Sequence, residues 1–122
     1  MTMQSVKLAP PYSQIHVMDP CCREAVEWHR DSHLSANPSV VAIGTLAEVD
    51  GETEIRLGLD KEVDPGTAPA YVGRLDTPTG VVSVRTAEDR EVLALKVNRE
   101  CVTVRVWTND PSEPTLVCIG VS

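Results

Sequence analysis

The stretch Val40–Leu59, VVAIGTLAEVDGETEIRLGL, sets the fold class. It is rich in β-branched residues, which are stiff at χ1 and pack well on a pleated surface. Asp50-Gly51 interrupts it, and that dipeptide between alternating apolar residues is a strong short-range hairpin signal. A two-residue turn there sets Val49 opposite Glu52. Leu46 then faces Ile55, Gly44 faces Leu57 and Ala42 faces Leu59. That register gathers the apolar residues on one face. It leaves Ala47 opposite Glu54 and Thr45 opposite Arg56 on the wetter face.

Upstream of this stretch, Pro10-Pro11 blocks ladder pairing at the end of residues 1–11. Tyr12–Met18 then reads as a first strand. Asp19-Pro20 resembles a helix N-cap followed by proline in the first turn. Cys21–Arg30 has helical spacing, with Cys22, Val26, His29 and His33 on one side and Arg23, Glu24, Glu27 and Arg30 on the other. Asn37-Pro38 closes that segment.

Downstream, the residues of Asp60–Ala70 (DPGTAP within it) read as a loop. Tyr71–Leu75, Val81–Thr86, Val92–Val97, Cys101–Thr108 and Thr115–Val121 read as strands, separated by Thr77–Gly80, the charged Glu88–Glu91 and Asn109–Pro114. Many short strands between turn signals predict an all-β protein: an antiparallel β-sandwich of about eight short strands, with one short helix after the first strand. The 122 residues suit one domain spanning 1–122.

The core implied by this reading is aliphatic. The chain has no Phe, and its aromatics are Tyr12, Trp28, Tyr71 and Trp107. Eighteen acidic against eleven basic residues give a net charge of −7. Such a surface repels phosphate backbones, so direct nucleic-acid binding is not expected, while a basic protein partner is favoured. No run of 18 apolar residues and no secretory segment near Met1 is present, so neither a membrane nor a secretory route is expected. Four cysteines without a disulfide framework agree with a reducing, cytoplasmic setting.

The chemistry-bearing residues crowd into positions 16–33, which hold His16, Cys21, Cys22, His29 and His33. His29 and His33 are four apart and would neighbour each other on a helix. With His16 from the strand they form a candidate three-histidine site for zinc or another divalent transition metal. Cys22 lies roughly 10 Å along the helix from His29 and cannot share the ion. This metal-dependent reading is the alternative. The leading one has no cofactor and no catalytic residue, because the sequence has neither a G-x-S-x-G elbow nor a phosphate loop.

A binding surface is the leading reading. Alternation over Cys101–Thr108 puts Val102, Val104 and Val106 on one face and Thr103, Arg105 and Trp107 on the other. Trp and Arg are enriched at binding hot spots. With Glu52 and Glu54 on the outward side of the hairpin, Trp107 and Arg105 form the candidate protein-binding set. The short apolar strand at 115–121 also offers an edge through which two copies would pair as a homodimer.

The order of features resembles the bacterial competence protein J family. The residues concerned are the first strand Tyr12-Ser13-Gln14-Ile15, Trp28 in the segment after it, the Gly-led strand Gly80–Thr86, and the late Val106-Trp107-Thr108. The DPGTAP loop and the Cys21-Cys22 pair depart from that pattern. The resemblance implies a small acidic inhibitor whose protein partner is a nuclease.

Overall fold

The computed structural model describes residues 3–22 and 33–122. Among these described residues, ten strands form two five-stranded sheets. They are β1 (Gln4–Leu8), β2 (Gln14–Met18), β3 (Leu34–Asn37), β4 (Val40–Gly44), β5 (Thr53–Leu59), β6 (Tyr71–Asp76), β7 (Val81–Thr86), β8 (Glu91–Lys96), β9 (Cys101–Thr108) and β10 (Leu116–Val121). The first sheet runs β1-β5-β10-β9-β6 and the second β3-β4-β2-β7-β8. The all-β expectation holds, with antiparallel pairing throughout except between β5 and β10, which are parallel.

The two sheets close on an aliphatic core. Ile55, Leu57, Leu75, Val102, Val104, Val106, Val117, Ile119 and Val121 point inward from the first sheet. Ile15, Val17, Val41, Ile43, Val82, Val84, Leu93 and Leu95 meet them from the second. Fully burying each such side chain stabilises by about 1.5–3 kcal/mol before the entropic cost of ordering it. Hydrogen bonds stitch both sides of the sandwich. Gln4 Nε2 donates to Ala94 O at 2.5 Å, joining β1 to β8. Asp76 N donates to Pro38 O at 2.8 Å, joining β6 to the β3–β4 turn.

The predicted Asp50-Gly51 hairpin does not form. β4 pairs with β2 and β3 in one sheet, while β5 pairs with β1 and β10 in the other. The segment between them crosses the end of the sandwich. Glu48–Asp50 makes a 3-10 turn closed by Asp50 N donating to Ala47 O at 2.8 Å, and Gly51 takes φ 142° and ψ −166°. A hairpin turn of the expected kind needs left-handed backbone at both central residues. Ile43 and Ile55 therefore share a core across sheets, not a ladder.

The break falls at Pro10-Pro11 as expected, but a strand precedes it: β1 lies antiparallel on β5, so the strand after the prolines is the second and not the first. Two further expectations are corrected. Asp60–Val63, expected as loop, forms one helical turn, α1, started by Leu59 N donating to Glu62 Oε1 at 2.9 Å. The strand at 115–121 is not an edge. β10 is paired on both sides, by β5 and β9, so it has no free backbone for a second copy. The helix expected over 21–30 lies, beyond Cys22, outside the described residues, as do Val26 and Trp28. Among the described residues no helix is long and apolar enough to cross a membrane.

Candidate functional site at the acidic end

Trp107 is not the exposed anchor expected of it. Its side chain is only 4 % exposed and packs with Val63 and Cys118, flanked by Met3 and Leu116. The indole Nε1–H donates to Thr67 O at 2.9 Å. The cause is the path of the chain after β5. Helix α1 and the DPGTAP loop return over the outer face of the first sheet and cover the ring. Gly120 makes room for this, since a Cβ there would sit 2.9 Å from Trp107 Cζ3.

The other three candidate binding residues do not gather around it. Arg105 Nη1 is tied to the Asp60 carboxylate and donates to Ser122 Oγ at 3.2 Å. Glu54 is engaged by Arg56 Nε at 2.6 Å and lies 3.9 Å from Lys7 Nζ. Glu54 pairs with Leu116 on β10 and Arg105 with Gly120, so they stand at different heights on the sheet. Glu52 is exposed on the crossing segment, beyond the start of β5.

The histidines give the metal alternative no support. His16 sits on the outer side of β2, its Nε2 2.9 Å from Gln14 Oε1. Burial lowers its pKa below the usual histidine value, with the Asp89 charge opposing that shift. His33 is exposed, and its carbonyl accepts from Gly44 N at 2.7 Å. His29 lies outside the described residues. Among the described residues no three His, Cys, Asp or Glu side chains surround a common point.

A different surface carries the charge. Strand pairings and turn bonds place Pro11–Ser13, 45–52, 86–90 and 109–114 at one end of the sandwich. Ile15 pairs with Thr86, Thr45 N donates to Ser13 O at 2.8 Å, and Leu46 N donates to Pro114 O at 3.1 Å. Glu48, Asp50 and Glu52 are exposed on one of these segments, Glu88 and Asp89 on the next, and Asp110 and Glu113 on the last. Arg90 is the exposed cation among them, and Asp89 is held by Arg85 Nε at 2.8 Å. Asp110 is kept below the usual carboxylate range by three hydrogen bonds, from the backbone N–H of Glu113 and from the N–H and hydroxyl of Ser112, so it stays ionised.

Two apolar side chains stand out on this acidic end. Tyr12 is 71 % exposed and Val49 is 89 % exposed, on neighbouring 3-10 turns bridged by Tyr12 N donating to Glu48 Oε1 at 3.4 Å. Tyr12 and Ser13 both have left-handed backbone, φ 59° and 57°. That conformation costs a non-glycine residue of order 1–3 kcal/mol and is held by its surroundings. One feature of the sequence points to it. Pro10-Pro11 immediately before Tyr12 forces a break between β1 and β2, and the tyrosine stands at the break, not inside the strand.

The fold and this end define the class: a two-sheet, all-β protein with an acidic, aromatic-bearing tip. No known protein-family pattern matches the chain, and no curated protein matches it in sequence. Two solved structures share its fold. One is ComJ, inhibitor of the DNA degrading activity of NucA, from Bacillus subtilis. It superposes with a TM-score of 0.66 over 97% of this chain and 93% of that one, at 12% identity. The other, described as crocagin biosynthetic gene J, gives a TM-score of 0.51 over 98% and 95% of the two chains, also at 12% identity. The resemblance read from the sequence is thus met at the level of the fold.

Proposed function

We propose that this chain is a small non-enzymatic protein-binding domain that offers its acidic end to a basic protein partner, a nuclease of the kind that ComJ restrains. The observation that carries this reading is the concentration of exposed carboxylates around Tyr12 and Val49 at one end of the sandwich. A nuclease must attract a phosphate backbone, so its substrate cleft is basic. Carboxylates on a rigid fold compete for that cleft, and charge complementarity speeds and orients the encounter. Tyr12 supplies a large amphipathic contact of the type that anchors interfaces.

The test is a DNA-degradation assay with a panel of basic nucleases, run with and without the purified protein at low and raised salt. Inhibition of at least one nuclease, weakening as salt rises, is expected. Failure to inhibit or bind any of them at low salt sinks the proposal.

A further inference from the structure

The opposite end of the sandwich holds a cleft of about 660 Å³. Asp19, Cys21, Cys22 and Ser39 line it from the second sheet, and Asp76 and Cys101 from the first. Three of the chain's four cysteines therefore reach one cavity, although Cys101 is eighty residues from Cys21 (101 − 21). The fourth, Cys118, is buried against Trp107 on the outer face of the first sheet. Cys21 and Cys101 are exposed thiols.

The walls of this cleft are tied to each other by short bonds. The Asp19 carboxylate accepts from Cys21 N at 2.8 Å, Thr79 N at 2.8 Å and Thr79 Oγ1 at 2.7 Å. Thr77 N donates to Glu100 O at 2.8 Å, and Thr77 Oγ1 to Arg99 O at 2.7 Å. Cys101 pairs with Asp76, directly before Thr77. The segment bearing Cys21 and the one bearing Cys101 are thus both fastened to the single turn Thr77–Thr79.

We infer that Cys21 and Cys101 form an intramolecular disulfide when the protein meets an oxidised low-molecular-weight disulfide, and that this bond staples the two sheets across the cleft. The thiolate of one cysteine attacks the small disulfide, forms a mixed disulfide and releases one small thiol. The second cysteine thiolate attacks the protein sulfur of that mixed disulfide and releases the other small thiol. Two protein thiols are oxidised, one small disulfide is reduced to two thiols, and the two protons end on those thiols. A bond closing a loop this long restricts the unfolded chain strongly.

The test incubates the full chain with glutathione disulfide, then maps the unreduced peptides by mass spectrometry and records the melting temperature. Expected are a Cys21–Cys101 linked peptide in the monomer, a Tm rise on the order of 10 °C reversed by reductant, and loss of both in Cys21→Ser and Cys101→Ser. Cys22→Ser and Cys118→Ser should keep them. Glutathione adducts alone, a Cys21–Cys22 or Cys22–Cys101 bridge, or a linked dimer would each overturn the inference.

Discussion

At the residue scale, one buried carboxylate joins two segments at the cleft end. Asp19 is 1 % exposed, yet its two oxygens accept three hydrogen bonds from two segments. Asp19→Ala leaves the Thr79 donors without their partner and is expected to cost about 2–4 kcal/mol of unfolding free energy, read by urea denaturation. Asp19 was legible in sequence as a cap before Pro20, and it does bond the N–H two residues on. Its longer reach to Thr79 was not, because a side-chain partner sixty residues away leaves no local pattern. His16 gives a pH effect of known sign. Its folded pKa lies below the unfolded value of about 6.5, chiefly through burial. The neutral ring's contribution is fully present above that value. It is lost as pH falls from about 6.5 through the folded pKa, because the unfolded chain binds the proton first. An NMR titration should find the His16 midpoint below the usual histidine value, and Asp89→Asn should lower it further.

At the element scale, period two located the strands but not their neighbours. Alternation states which side of a strand is apolar. It is silent on which sheet the strand enters, so Val40–Gly44 and Thr53–Leu59 were recognisable as strands but not as members of opposite sheets. The same gap made 115–121 look like an edge. A short uncharged strand is what a doubly paired central position demands, and the sequence does not separate that case from an exposed one. Trp107 shows the limit from another side: alternation put it on the outer face correctly, but a return loop then covered that face. The crossing at Gly51 is open to test. Its φ of 142° with ψ near −166° is a region essentially reserved for glycine. Gly51→Ala should destabilise by roughly 1–3 kcal/mol, seen as a lower urea midpoint with an unchanged m-value. Asp50 N donates to Ala47 O, so proline there should disrupt the crossing turn as well.

At the scale of the whole molecule, the net charge of −7 is unevenly used. On the outer face of the first sheet, acids meet bases: Glu54 with Arg56, Asp60 with Arg105 and Asp76 with Arg74. At the Tyr12 end, Asp89 pairs with Arg85, while Glu48, Asp50, Glu52, Glu88, Asp110 and Glu113 form no ion pair among the described residues. Glu48, Asp50 and Glu52 project from a segment outside both sheets. Their repulsion is a small stability cost that serves no packing purpose, which is the signature expected of a surface kept for a charged partner. The combined variant Asp50→Lys, Glu52→Lys and Glu88→Lys should change folding stability little, since exposed substitutions usually stay within about 0.5 kcal/mol each. Against a nuclease that the wild type inhibits, it should raise Kd at least roughly tenfold and flatten the salt dependence. Tyr12→Asn, which keeps a residue tolerant of left-handed backbone, should weaken binding without flattening that dependence, because it removes contact and not charge. Calorimetric titration at two ionic strengths distinguishes the two. Equal affinity for wild type and the triple variant at low salt would place the partner on another face of the sandwich.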